Sequence, residues 1–303
     1  MTPTHVAVVI PTRGRAAWCV EAVESALVQE GVDVEVVVSM DGEQPDLRAA
    51  LEAKRDPRVR LVSHPAGGRS AARNRGVAAT SSRLVALLDD DDRLLPGALA
   101  ARVDGLRRHA HAVLVHGPAV AMDEGGRPRL GRTRTRSERC EDGHALHARG
   151  RSVVPSTALL RREAFERTGG FAEDVPTGED WLFFLGVARL GPFVWIEEPT
   201  VLYRRHGGQA RSDPRAQEAA LPIWTARAFD DPATPERVRA QRDRIVARHL
   251  LWIARNHRRG GDAPASRRCA RAAARLDPTL LLRPRRLAQV LSLAFARGGG
   301  ATS

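Results

Sequence analysis

Four runs in the first third of the chain, VAVVI (6–10), VEVVVSM (34–40), VRLVS (59–63) and RLVALL (83–88), are apolar on nearly every residue rather than on every second one. A strand wetted on one face alternates apolar and polar side chains, so runs of this kind read as strands buried on both faces. Between the first two, Ala16, Cys19, Val20, Val23, Ala26 and Leu27 recur at helical spacing and give one apolar stripe to lay on a sheet. Buried strands separated by amphipathic helices predict an α/β fold, a mostly parallel Rossmann-like sheet flanked by helices. In such sheets ligands bind outside the carboxyl ends of the strands. The segments that follow the strands are PTRGR, DGEQ, HPAGGRSAARN and DDDD, and a site is expected among them.

Further along, the pattern predicts a helix from Gly97 to Ala110 and a strand over 112–117. The segment 123–143, rich in Gly, Arg and Thr without an apolar period, reads as a long loop. A short strand and a helix ending at Gly169-Gly170 follow, then a helix over 178–191 that opens with Glu179 and Asp180, then one or two strands in FVWIEEPTVLYRRHGGQ. Beyond about Arg215 the chain reads as helical throughout, a C-terminal extension.

Composition narrows the function classes. The formal charge of +12 suggests a nucleic-acid partner, but Lys54 is the only lysine and the arginines are spread along the chain, which marks a compositional bias rather than a patch. Cys19, Cys140 and Cys269 stand far apart with no metal-type spacing, which favours a reducing, cytoplasmic setting. There is no basic leader with an apolar core and no apolar run of roughly 20 residues, so the chain reads as soluble.

The stretch VALLDDDDRLLP (85–96) carries the strongest chemical signal. Four adjacent carboxylates in isolation are more often a solvated turn or a helix N-cap. Placed at the end of a buried strand, Asp89 to Asp92 stand at the ligand-binding rim, and an oxygen-rich cluster there suits a hard cation such as Mg2+ or Mn2+. Asp41, in VVVSMDG, stands at the same rim, although an Asp-Gly alone is most often a turn. GGRSAARNRG (67–76) places Ser70 at an N-cap and Arg73 in the first turns of a helix; a helix N-terminus favours an anion, but the lysine and hydroxyl of a P-loop are missing.

Together these pieces resemble the family-2 glycosyltransferases, which have the GT-A fold. The matching segments are VAVVIPTRGR, VEVVVSMDG, GGRSAARNRG, LLDDDDRLLP as the DxD region, GEDW (178–181) as the acceptor-side acidic motif and YRRHGGQ (203–209), spread over residues 5 to 213. The resemblance implies an inverting hexosyl- or related transferase that uses a nucleoside-diphosphate sugar and a divalent metal, Mn2+ or Mg2+. Its donor half would span 1–116, its acceptor half 117–214, and the helical extension 215–303. It makes Pro11, Thr12 and Arg13 part of the wall around the base, has Asp41 hydrogen-bond the base, and sets Arg73 beside base and ribose. Asp91 becomes the metal ligand, and Asp89 or Asp90 faces ribose or sugar. Asp180 becomes the general base, although acids in a first helical turn also favour the helix dipole by themselves. His206 would ligate the metal or donate to the diphosphate. Trp181 and Trp195 are read as packing residues rather than sugar platforms. Met40, where the family often has a second acid, RGR (13–15) in place of aromatic-Asn-Arg, and Asp90, where a small residue is usual, are departures that bear on the base and ribose contacts.

The acceptor is expected to be a saccharide, a lipid-linked or a small molecule. In PRRLAQVLSLAFAR (284–297), Leu287, Val290, Leu291 and Ala294 form an apolar stripe, and Arg283, Arg285, Arg286 and Arg297 flank it. The commoner outcome for such a helix is packing on the catalytic domain or across a homodimer; the other is peripheral contact with the inner face of an anionic membrane. Two further readings compete with the enzyme: a catalytically silent sugar-nucleotide binder and an arginine-rich nucleic-acid-binding protein. The presence of Asp180 weighs against the first, and the scarcity of interleaved aromatics against the second.

Overall fold

The computed structural model describes residues 3–129, 138–148, 152–207, 213–282 and 284–294. The chain divides into two units, one of Met1–Gly143, Ser152–Asp174 and Glu179–His206, the other of His144–Arg151, Val175–Gly178 and Gly207–Ser303.

The first unit starts with β1 (Thr4–Thr12), α1 (Ala16–Leu27), β2 (Val32–Asp41), α2 (Pro45–Glu52), β3 (Val59–His64), α3 (Gly68–Ala78) and β4 (Leu84–Leu87). β1 pairs in parallel with β2 over its whole length, β2 with β3, and β4 returns to the other side of β1. The order β3-β2-β1-β4 therefore reverses direction between β1 and β4. That reversal is the point at which doubly wound sheets open a crevice for a ligand. β5 (Arg93–Leu94), α4 (Ala98–Arg108), β6 (Leu114–His116), β7 (Ala119–Met122) and β8 (Arg139–Glu141) follow; α5 (Gly143–Ala148) belongs from His144 onward to the second unit; then come β9 (Leu159–Arg161), α6 (Arg162–Arg167), α7 (Glu179–Ala188), β10 (Phe193–Trp195) and β11 (Val201–Arg204). The large sheet continues β4-β9-β6-β10-β8, and a small sheet runs β5-β11-β7. Asp89 to Asp92 lie on the few residues between β4 of the large sheet and β5 of the small one.

Both faces of the central strands are covered, as continuous apolar runs predict. Val6, Val8 and Ile10 of β1 pack with Val36 and Val38 of β2 and with Cys19, Val23 and Ala26 of α1, while Ala7 and Val9 on the opposite face are also fully buried. Each such valine or isoleucine contributes about 1.5–3 kcal/mol by leaving water. β3 departs from the expectation: as the edge strand it is half-buried, with Arg60 exposed and only His64 buried. α3 lies so close to the sheet that a Cβ on Gly76 would stand 2.5 Å from Val9 Cγ1 and 3.2 Å from Ser39 Cβ. Only a residue without a side chain fits there, and the contact seats the arginine-bearing turns of α3 beside the strand ends.

Three sequence expectations are corrected. The stretch 123–143 is not loop throughout: β8 pairs antiparallel with β10, and Arg139 lies over the Trp195 ring at 5.9 Å. A three-residue strand owes its existence to its partner rather than to its own periodicity, so no local signal announces it; residues 130–137 of this stretch lie outside the described residues. Ser70 is not the N-cap of α3. The helix starts at Gly68 behind Gly67, and Ser70 is buried inside its first turns. The helix expected over 178–191 is shorter, Glu179–Ala188.

The second unit is helical, with α8 (Pro214–Phe229), α9 (Glu236–Arg239), α10 (Arg242–Arg259), α11 (Ala263–Leu276), a 3-10 segment (Pro278–Leu282) and α12 (Pro284–Ala294). Leu221, Trp224, Ile245, Leu251, Ile253 and Cys269 are among its buried residues. Of the α12 stripe, Val290 and Ala294 are buried with Leu293, whereas Leu291 is 45% exposed. Arg283 and Arg297, which flank that stripe in sequence, lie outside the described residues.

Candidate active site

The four aspartates are not a solvated turn. Asp90, Asp91 and Asp92 are 0%, 8% and 1% exposed, and buried charges persist only when partners hold them. Cations arrive from several elements. Arg15, just past β1, reaches Asp90 Oδ1 at 2.5 Å and donates to Asp91 Oδ2 at 2.7 Å. His206 Nε2 lies 2.9 Å from the same Asp91 oxygen, and its ring sits against Trp18 with centroids 4.8 Å apart. Asp92 accepts from Ser156 Oγ at 2.6 Å and from the Arg204 backbone N–H at 2.9 Å. Arg204, fully buried, also donates through Nε to the Asp91 carbonyl and through Nη2 to Glu21, with its guanidinium 5.0 Å from the Trp18 ring centroid. β1 and β4 are hydrogen-bonded neighbours, which is why the segments after them meet.

On the other side of the cluster, Arg73 of α3 is 4% exposed and donates to Asp89 Oδ1 at 2.7 Å and to Glu179 Oε1 at 3.3 Å. Arg69 adds a two-pronged contact to Glu179, 2.5 Å to Oε1 and 3.0 Å to Oε2. The DDDD segment and the first turn of α7 are therefore joined through one buried guanidinium. Asp180 follows Glu179 directly and accepts from the Trp181 backbone N–H at 2.7 Å. Trp181 itself is 3% exposed, in keeping with a packing role.

The charges are unevenly compensated. Burial works to raise Asp89, but Arg73, helped by Arg69 and Arg15, outweighs it and holds the carboxyl below its ordinary range. Asp90 is pushed up to about 6, by burial first, against the pull of Arg15. Burial, with Asp89 and Asp91 behind it, raises Asp92 well above the usual carboxylate value. Burial and the neighbouring Glu179 charge push Asp180 up to about 6. Desolvated carboxylates with too few cations around them fit a further positive charge. Asp89, Asp91 and Asp92 each offer an oxygen within 4.8 Å of the others, the all-oxygen donor set that suits Mg2+ or Mn2+. A second group in the helical unit, Glu218, His257 and Cys269, is engaged differently: Arg268 donates to both Glu218 oxygens at 2.9 Å, and His257 lies 3.2 Å from one of them.

The remaining sequence candidates fall as follows. Pro11 and Thr12 end β1, with Thr12 buried. Arg13 is exposed, 3.6 Å from Asp41 Oδ2. Asp41 itself turns to α3, where its Oδ1 accepts from the backbone N–H groups of Gly67 at 2.6 Å and Gly68 at 3.2 Å. It caps the helix that carries Arg69 and Arg73, a role the Asp-Gly turn did not announce. Of the motif YRRHGGQ, Gly208 and Gln209 lie outside the described residues. Three residues were missed in sequence: Arg15, Glu179 as an arginine anchor, and Arg204. The parallel neighbourhood of the first and fourth strands was the available signal for Arg15; nothing local marks Arg204.

Arg73 makes a stability prediction. Arg73→Met leaves Glu179 with Arg69 alone and Asp89 without its main partner, and breaking a buried ion pair from one side costs about 3–5 kcal/mol. Urea unfolding of the variant is expected to show a midpoint lowered accordingly at unchanged slope; an unchanged midpoint would show that the guanidinium carries no net stabilisation.

The model of glycosyl transferase family 2 matches residues 7–169. The succinoglycan biosynthesis protein ExoO of Rhizobium meliloti is 40% identical over 116 residues, 38% of this chain and 31% of that protein. An uncharacterized glycosyltransferase of Rickettsia felis is 36% identical over 240 residues, 76% of this chain and 38% of that protein. The chain thus spans about a third of the length of these curated relatives. Among solved structures, S. aureus TarS 1–349 in complex with UDP-GlcNAc superposes with a TM-score of 0.68 at 17% identity, covering 96% of this chain and 89% of that one, and so shares the GT-A fold.

Proposed function

Because the chain belongs to glycosyl transferase family 2, we propose that it moves a sugar from a nucleoside-diphosphate sugar to an acceptor hydroxyl by direct displacement with inversion. The observation that carries this reading is the single ion-pair network in which Arg73 joins the aspartates after β4 to the first turn of α7. It brings a diphosphate-side carboxylate cluster and a candidate base into one electrostatic unit.

In this mechanism the Asp180 carboxylate accepts the proton of the acceptor hydroxyl. With its acidity weakened to about 6 it is a stronger base than a solvated aspartate, yet ionised at neutral pH. Glu179, fixed by Arg69 and Arg73, sets the helix end from which Asp180 projects. Asp89, Asp91 and Asp92 would hold a divalent cation, with His206 beside Asp91 as a further ligand or as a donor to the diphosphate. Bound there, Mg2+ or Mn2+ supplies Lewis-acid neutralisation of the departing nucleoside diphosphate. Pro11, Thr12, Arg13 and Asp41 border the base, and Asp89 or Asp90 faces ribose or sugar. Residues 1–116 serve the donor and 117–214 a saccharide, lipid-linked or small-molecule acceptor. The UDP-GlcNAc complex of TarS supports trying UDP-sugars first.

The test is a thermal-shift screen of UDP-, GDP- and dTDP-sugars with and without Mn2+, paired with an assay of nucleoside diphosphate release. One nucleotide class is expected to raise the melting temperature only with metal, since a ligand at about 100 times its Kd adds about 2.7 kcal/mol, and to be turned over. A shift without any release of nucleotide identifies a silent binder; no shift with any donor sinks the donor site itself.

A further inference from the structure

α11, the 3-10 segment and α12 combine positive charge that is only partly neutralised with exposed leucines. From residue 263 to the end of the sequence there are eight arginines and one acid, Asp277. Asp277 is 8% exposed, its carboxylate accepts from the backbone N–H and hydroxyl of Thr279, and it pairs with no arginine among the described residues. Arg267, Arg271 and Arg275 recur every fourth residue along one face of α11, and with Arg268 and Pro264 they line a hollow of about 320 Å³. Arg268 is held by Glu218; Arg271 and Arg275 are exposed and form no ion pair among the described residues. At the neighbouring end of α10, burial and the charges of Arg286 and Arg259 lower Arg255, so cations from α10 and α12 crowd together.

The second observation is apolar. Leu282 is 81% exposed and Leu281 41%, in a 3-10 segment that packs against both α11 and α12. Arg275 closes the helix before it, and Arg285 and Arg286 open the helix after it, so the two leucines stand between guanidiniums. One face of α12 is used inside the unit through Val290 and Leu293, while Leu291 points outward. In water, exposed leucines and crowded guanidiniums are both unfavourable. At an anionic bilayer both are favourable, because guanidinium forks donate to lipid phosphates while leucines enter the acyl boundary. Among the described residues no helix is long and apolar enough to cross a membrane, so the contact is one of lying on the surface.

We propose that the arginine hollow of α11, with Leu281 and Leu282 beside it, docks the chain on a bilayer of anionic phospholipid. Phospholipid phosphates occupy the hollow on Arg271 and Arg275.

The test is co-sedimentation of the full chain with vesicles of phosphatidylcholine alone and of phosphatidylcholine mixed with phosphatidylglycerol. Binding is expected only to the mixed vesicles, weakening as salt rises. Arg271→Glu with Arg275→Glu is expected to lower the partition coefficient by about two orders of magnitude, and Leu282→Glu by about tenfold. A control with the same charge change on exposed residues of the other unit, Arg83→Glu with Arg127→Glu, is expected to keep it within about twofold, since neither lines the hollow nor flanks its leucines. Equal losses in control and hollow variants would reveal a whole-chain charge effect and overturn the proposal. So would wild-type binding to phosphatidylcholine alone, or no binding to anionic vesicles at low salt. Stabilisation by inorganic diphosphate without vesicle binding would assign the hollow to a free phosphate-bearing ligand and overturn it too. None of these substitutions touches the aspartate cluster or Asp180, so the donor-dependent thermal shift persists in every variant, and failure here is distinct from failure of the transferase reading.

Discussion

Asp180→Asn is expected to lower turnover by about 10²–10⁴-fold, the range set by losing a positioned general base, with donor affinity unchanged. The substitution keeps the oxygen that accepts the Trp181 N–H, so the first turn of α7 stays closed. It removes only the oxygen that would take the acceptor proton in the proposed mechanism. The pH profile gives an independent reading of the same residue. Burial and Glu179 raise Asp180 to about 6, so the base is protonated and idle below that pH and ionised above it. The rate therefore rises with pH through about 6 and levels off near neutrality, and the acid limb disappears from the residual activity of the variant. Folding stability runs the opposite way. A carboxyl raised above its unfolded value of 3.8 binds its proton more tightly in the folded state, so this contribution is present at low pH and is lost as pH climbs from 3.8 to about 6. A variant with turnover close to wild type would remove Asp180 from the chemistry.

Asp91→Asn is the second large effect, expected at about a thousandfold or more in turnover, because the Lewis-acid contribution to the leaving group is several kcal/mol. Here donor binding changes as well. The donor-induced rise in melting temperature loses its dependence on Mn2+, since Asp91 is the carboxylate that faces both Arg15 and His206 and the one assigned to the metal. The two substitutions thus separate by readout: Asp180→Asn leaves metal-dependent donor binding intact, Asp91→Asn abolishes it. If Asp91→Asn kept the Mn2+ dependence of wild type, the metal would have to be held elsewhere.

The parts of this fold legible in the sequence are those whose cause is local. β1, β2 and β4 announce themselves because each buries both faces within its own few residues, and the positions past them follow from the general behaviour of parallel sheets. Asp41 and Asp91 stand at or just beyond the ends of such strands, whereas Asp180 opens a helix and comes only from the resemblance of GEDW to the family motif. What was not legible is what depends on residues far apart in the chain. β8 exists because β10 lies beside it. Arg15 meets Asp90 and Asp91 across 75 and 76 positions, and Arg204 reaches Asp91 across 113. Asp41 illustrates the middle ground: it ends β2 as its sequence position implies, while its hydrogen bonds go to the amides that open α3. A motif gives a residue's address; which neighbour it grips is decided by elements with no motif of their own.

The position of Arg15 has a consequence for the proposed metal site. Its guanidinium rests on Asp90 and Asp91, so the cluster already carries a tethered single positive charge. In the proposed mechanism a divalent cation would therefore share the Asp91 carboxylate with Arg15 and His206, or displace one of them from it.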